Sequence, residues 1–163
     1  MLRRLQLADL PRFQAYRHDP VVGEFQGWEP QSDYEAARFV EDMSDVGLFP
    51  RGAWVQLGIA DRDTGELLGD VGICVSADGQ KAEIGFTVAA QAQGSGLGTE
   101  AVREAIGLVF DLTKVGNVIA VIDERNVAAH RLVRRAGFQK VESLNAVFRG
   151  KPCIETVWAI SRS

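Results

Sequence analysis

Apolar and polar positions along the chain follow two different spacings, and the changes between them mark out its elements. Leu2 to Leu7 reads as a short strand. Asp9 then stands where a helix needs a cap, ahead of Leu10, Phe13 and Ala15 or Tyr16 on the inner side of a helix reaching Arg17. His18-Asp19-Pro20 ends that helix, and a loop follows with Gly23, Gly27, Trp28 and Pro30. Ser32 and Glu35 form a capping box, each side chain satisfying the other's backbone N–H. Ala36, Phe39, Val40 and Met43 then recur at i, i+3, i+4 and i+7, which predicts a helix with one apolar face.

The middle of the chain reads as β. Trp54 to Ala60 is a strand, Asp63-Thr64-Gly65 a turn, and Leu67 to Val75 a second strand broken by Gly69 and Gly72. Asp78-Gly79 matches a tight hairpin turn that needs positive φ, and a third strand runs from Ala82 to Val88. A glycine-rich loop, Gln93-Gly94-Ser95-Gly96-Leu97-Gly98, leads into a helix with Val102, Ala105, Ile106 and Val109 on one face. Val118 to Val121 or Ile122 is a strand of buried type. Asn126 opens a helix with Ala129, Leu132, Val133 and Ala136 inward, and Gly137 stops it in the left-handed position past its end. Val141, Phe148 and the run Ile154 to Ile160 supply the last strands. The order β-α-α-β-β-β-α-β-α-β-β predicts a mixed sheet with helices on its faces, an α/β or α+β architecture.

Composition narrows the partners. The 163 residues fit one domain, 1–163, and 46% hydrophobic with 25% charged residues is ordinary for a globular chain with a core. The net charge of −4 and the lack of any Lys/Arg run argue against a nucleic-acid partner. The same charge suits a cationic substrate and is also a common solubility charge. No apolar run approaches the ~20 residues of a membrane span. The first residues, Met1-Leu2-Arg3-Arg4, lack the apolar core and cleavage site of a signal peptide, so a cytoplasmic location is expected. Cys74 and Cys153 lie in apolar strand-like stretches and read as reduced and buried, with a disulfide between them as the alternative. His18 and His130 are far apart and no metal-ligand spacing occurs, so no metal is expected.

Strand, then Gly94, Gly96 and Gly98, then helix is the segment that carries chemistry. Glycines allow the backbone to approach a ligand closely, and the N–H groups and dipole at a helix start attract anions. Such turns also serve tight strand–helix packing with no ligand. A P-loop needs Gly-Lys before Ser or Thr, whereas here Gly98 precedes Thr99 with no Lys. A dinucleotide fingerprint needs a third glycine, and Thr99 occupies that position.

Gln93 to Gly98 resembles the Q/R-x-x-G-x-G/A signature of GNAT acetyltransferases. Asn126-Val127-Ala128-Ala129 through Ala136-Gly137-Phe138 is similar, without gaps, to that family's later segment, and Glu83-Ile84-Gly85-Phe86 resembles its preceding strand. Two motifs in the right order are far more specific than one. Ala8-Asp9-Leu10, Tyr16-Arg17-His18-Asp19-Pro20, Gly27-Trp28-Glu29-Pro30 and the close Phe148-Arg149-Gly150-Lys151 through Glu155 to Ile160 resemble the Rim-type (ribosomal-protein-alanine) branch. The resemblance implies a GNAT fold with a mixed, mostly antiparallel sheet and helices on both faces. It implies transfer of an acetyl group from acetyl-CoA, as co-substrate, to a primary amine by direct attack. A homodimer is compatible with it, because late strands in the family pair across subunits.

Direct attack needs position, an oxyanion donor and a proton acceptor. By resemblance, Val88 supplies the oxyanion N–H, and Gln93, Gly94, Ser95, Gly96, Leu97, Gly98 and Thr99 hold the pyrophosphate. Asn126 bonds the cofactor arm by the same carry-over, or serves as a plain helix N-cap. Glu83 and Glu155 are the candidate bases, each with the alternative of an ordinary strand carboxylate. Trp28 and Glu29 are candidates for the acceptor site, against a packed aromatic and a solvated loop charge. His130, early in its helix, reads as a surface residue, and Cys153 as a buried thiol rather than an acyl carrier. The chain departs from the family at Val133 and Ala129, where many members carry Tyr and Ser hydroxyls, so the general acid is unassigned. Two other readings stand beside catalysis: a degenerate domain that binds CoA as a sensor or accessory module, and a structural module whose loop binds nothing.

Overall fold

The computed structural model describes residues 1–163. Seven strands and four helices form in the order read from the sequence: β1 Leu2–Arg4, α1 Leu10–Arg17, α2 Asp33–Asp45, β2 Trp54–Ala60, β3 Leu67–Val75, β4 Lys81–Val88, α3 Leu97–Leu112, β5 Asn117–Asp123, α4 Val127–Ala136, β6 Gln139–Phe148 and β7 Lys151–Ser161. One sheet holds all seven strands in the order β1-β2-β3-β4-β5-β7-β6. Every neighbouring pair is antiparallel except β4 and β5.

Strand alternation assigns the two faces of the sheet. Val55, Leu57, Val71, Ile73, Ala82, Ile84, Val118, Ala120 and Trp158 point to one face, where Val102, Ala105 and Val109 of α3 and Val133 of α4 close the larger core. On the other face, α1 and α2 bury Phe13, Tyr16, Ala36 and Val40 against Leu5, Leu67 and Ala89. No helix is long and apolar enough to cross a membrane.

Local signals account for the helix ends. Ser32 Oγ accepts from Glu35 N–H at 3.2 Å and Glu35 Oε2 accepts from Ser32 N–H at 2.9 Å, the capping box in full. Gly137 ends α4 with φ +105°. Asp9 departs from expectation. It makes no side-chain cap to α1, because Arg3 takes its carboxylate in a two-pronged pair, 2.7 Å on each side. The first strand accordingly stops at Arg4, and Leu7–Asp9 forms a 3-10 turn. Cys74 and Cys153, expected buried, are both half-buried free thiols.

Candidate active site

The parallel pairing of β4 with β5 covers only Lys81–Glu83 against Asn117–Ile119. Beyond Glu83 the two strands part. Hydrogen bonds from Ala89 N–H to Leu68 O and from Ser76 N–H to Lys81 O fix the phase of the β3–β4 ladder. Odd-numbered residues of β4 therefore bond β3, and the amides of Phe86 and Val88 turn toward the opening. Gln26 donates to Phe86 O at 3.1 Å and Gln93 donates to Val88 O at 2.9 Å, so the carbonyls of these two residues are already occupied.

A cleft of about 610 Å³ lies over this opening. Val88, Gln93, Gly94, Gly96, Gly98, Thr99 and Asn126, all candidates from the sequence, line it. Ser95 and Leu97 do not. Ser95 Oγ donates to Ala92 O at 2.8 Å, and Leu97 packs on the larger core. The glycines divide their tasks. Gly94 and Gly96 have φ of +77° and +84°, which let the chain turn into α3. A Cβ on Gly98 would lie 2.7 Å from Leu132 Cδ1, so this glycine admits close packing of α3 on α4. The amides of Gly94, Ser95, Gly96, Leu97, Gly98 and Thr99 meet no protein acceptor, and the first bond of α3 is Glu100 N–H to Gly96 O at 3.1 Å. Consecutive unpaired amides at a helix start form a site for an anion.

Asn126 does cap α4: its Oδ1 accepts from Ala129 N–H at 3.2 Å, which leaves its amide NH₂ without a protein partner. His130 is not a surface residue. Trp158 Nε1, which only donates, bonds His130 Nδ1 at 3.1 Å, so the ring proton sits on Nε2, 3.0 Å from Asp123 O. The Nδ1 lone pair is thus committed, and His130 anchors the end of β5 rather than serving as a base.

Glu83 and Glu155 share the sheet face opposite α3 and α4. Glu83 pairs Ile119 at the point where the strands divide, and Glu155 pairs Asp123 four residues further along β5. Burial raises the Glu83 carboxyl above its ordinary value; Lys81 opposes this and the charge of Glu155 adds to it. The Cys153 thiol is held up by burial and by Asp123 and Glu155, which disfavours a thiolate carrier. Trp28 stacks on the Arg17 guanidinium, 4.6 Å from its ring, and donates to Thr87 Oγ1 at 3.2 Å. Glu29 is exposed and stands outside the cleft. Val133 is fully buried and Ala129 nearly so, within the apolar core.

Other parts of the site were not read from sequence. Val21, Val22, Phe25 and Gln26 roof the cleft, and Arg125, Arg131 and Arg135 line it. Asp70, 1% exposed, accepts from Tyr16 Oη, Arg17 and Gln56, and so ties α1 to β3 beside the loop that carries Trp28. An Asp inside the apolar run Leu67 to Val75 was the available signal, since a buried carboxylate needs a partner.

Residues 1–139 match the family described as "Acetyltransferase (GNAT) domain". An uncharacterised N-acetyltransferase, p20, of Bacillus licheniformis is 25% identical over 162 residues, covering 98% of this chain and 90% of the relative. A GNAT-family acetyltransferase from Bacillus anthracis superposes with a TM-score of 0.86 at 15% identity, covering 98% of this chain and 93% of that one. The spermidine N-acetyltransferase of Vibrio cholerae, solved with CoA and spermine, superposes with a TM-score of 0.81 at 18% identity, covering 99% and 94%. These superpositions establish the fold.

Proposed function

The chain belongs to the GNAT family of N-acetyltransferases, and from that premise we propose that it transfers an acetyl group from acetyl-CoA to a primary amine by direct attack in a ternary complex. One observation carries this reading: unpaired amides from Gly94 to Thr99 stand at the start of α3, next to the opening between β4 and β5. A pyrophosphate would take those amides, and the extended arm of the cofactor would enter the opening. Arg131 and Arg135 add positive charge at the cleft wall. The NH₂ of Asn126, without a protein partner, would donate to the arm.

In the proposed reaction the neutral amine attacks the thioester carbon. The N–H groups of Phe86 and Val88 are the donors for the developing oxyanion. The C–S bond breaks with its electron pair going to sulfur. Glu83, directly or through water, takes the proton that the new amide nitrogen loses, and Glu155 is the second candidate. Solvent protonates the departing thiolate, since Val133 and Ala129 offer no hydroxyl. The acceptor is a protein N-terminus or a small-molecule amine. The motifs at the two ends of the chain favour the Rim-type branch within the family. The outer strand β6 exposes Val141, Leu144 and Val147 and is the edge where a second copy would pair.

The apolar surroundings of Val133 and Ala129 favour one competing reading, a domain that binds CoA without turnover. Thermal unfolding with acetyl-CoA, followed by an amine panel, separates the readings. At about 100 times the dissociation constant a ligand stabilises by about 2.7 kcal/mol, or roughly 5–10 °C for a chain of this size. The wild type is expected to show that rise and Gly96→Glu to lose it. Stabilisation without turnover of any amine favours the accessory domain. A folded wild type indifferent to acetyl-CoA overturns both.

A further inference from the structure

Gly85, in the middle of β4, meets neither need that ordinarily keeps a glycine in a strand. Its φ lies outside the left-handed region. A Cβ built on it meets no atom within 4 Å. Its neighbours in the sheet differ. A Cβ on its cross-strand partner Gly72 would lie 2.3 Å from Gln56 Oε1, and one on Gly69 would lie 2.2 Å from Thr87 O. Glycine inside a strand gives up backbone entropy and side-chain packing. At position 85 that loss leaves a volume which no residue of the protein occupies.

The volume has defined borders. Glu83 and Thr87 flank Gly85 on the same face, each about 7 Å away along the strand. Thr87 is buried and holds the Trp28 indole, which closes that end. Toward β3 the Gln56 side chain, seated over Gly72 and held by Asp70, closes the volume. On the other side β4 and β5 have parted, and the Phe86 and Val88 amides face the gap. The cofactor cleft abuts the opposite face, where Phe86 and Val88 place their side chains.

We propose that Gly85 is the specificity-determining residue of the acceptor channel: the carbon chain next to the acceptor nitrogen crosses β4 over Gly85, between Glu83 and the Thr87–Trp28 wall. This rests on the acetyl-transfer reading above. It accounts for the glycine by the substrate, and it predicts that side-chain size at position 85 gates the acceptor without touching the cofactor. The raised Glu83 carboxyl accords with a channel that is shielded from bulk water at that end.

Calorimetric titration of wild type, Gly85→Ala and Gly85→Leu tests this with two probes. One is acetyl-CoA. The other is CoA alkylated on sulfur with N-butylacetamide, whose butyl chain stands where an acceptor's substituent leaves the acetyl group. All three proteins are expected to bind acetyl-CoA within about twofold of each other. The conjugate is expected to bind the Leu variant about tenfold more weakly than wild type, or worse, with Ala between. The unfolding temperature of the Ala variant is expected not to fall, since its added carbon has room and alanine favours the strand over glycine; retained acetyl-CoA binding reports that the Leu variant is folded. A Leu variant that binds both probes as wild type does overturns the assignment of Gly85. So does one that loses both probes equally, because the cofactor site would then be what was closed. A wild type that ignores acetyl-CoA instead overturns the acetyl-transfer reading itself, which keeps the two failures apart.

Discussion

Glu83 carries two consequences of one environment. Its carboxyl is raised first by burial and further by Glu155, against the pull of Lys81. A base must be ionised to act, so the rate of acetyl transfer is expected to climb through a pKa above the ordinary carboxylate range of about 4.3. Stability runs the other way. With its folded-state pKa raised, Glu83 binds its proton more tightly in the folded chain than in the unfolded one. Its contribution is most favourable below the unfolded pKa and is lost as pH rises through the folded pKa. Replacing Glu83 by Gln removes the charge and keeps the shape. Glu83→Gln is expected to lose about 100-fold in kcat. It is also expected to unfold at a higher temperature than wild type near pH 8, and at the same temperature near pH 4. Stopped-time assays and calorimetry at both pH values check this; a variant less stable than wild type at pH 8 contradicts the desolvation account.

At the scale of elements, local chemistry sets the boundaries where a few adjacent residues suffice. The capping box of Ser32 and Glu35 starts α2, and its loss is expected to be felt as helix stability alone. Ser32→Ala should cost about 1 kcal/mol, or roughly 2–4 °C in Tm, with acetyl-CoA affinity unchanged, because no residue of α2 lines the cleft. A fall in affinity along with Tm would show that α2 reports to the site. The same locality explains what the sequence made legible. β2 and β3 occupy the residues read for them, and Asn126 and Gly137 bound α4 as expected. The glycine-rich turn into α3 was legible too, since its glycines act through their own backbone. β6 was only glimpsed through Val141 and Phe148, because an outer edge strand with mostly exposed residues has no buried face to impose alternation. Asp9 misled for a different reason: its sequence position is that of a cap, but Arg3 competes for the carboxylate and wins with two charged bonds. His130 looked like a surface residue because its partners, Asp123 and Trp158, are joined only by the fold.

Across the whole molecule, the roof of the cleft is held by residues far from it in sequence, which is why no local pattern announced it. Gln26 reaches Phe86 and Trp28 reaches Thr87, each about sixty residues on. Arg125 lies 5.3 Å from the Phe25 ring, and Arg149, in the turn between β6 and β7, donates to Gly23 O at 2.9 Å and Gln26 O at 3.1 Å. The amino-terminal loop is therefore a strap tied down by the carboxy-terminal half, and the strap supplies Val21, Val22, Phe25 and Gln26 to the cleft. Arg149→Ala removes one charged donor from two carbonyls while leaving the cores intact. Hydrogen exchange at Gly23 and Gln26 is expected to quicken about tenfold, because opening the loop no longer breaks bonds to a charged donor, worth roughly 1.5–3 kcal/mol, and tenfold corresponds to about 1.4 kcal/mol. Val71 and Ile73, inside β3, are expected to keep their wild-type exchange. Acetyl-CoA should bind several-fold more weakly, roughly the cost of ordering the strap anew on binding. Faster exchange at Val71 as well would mean that the substitution loosens the whole fold. Unchanged exchange at Gly23 and Gln26 would mean that Gln26 and Trp28 hold the strap without help, and the carboxy-terminal turn would then have no hold on the cleft.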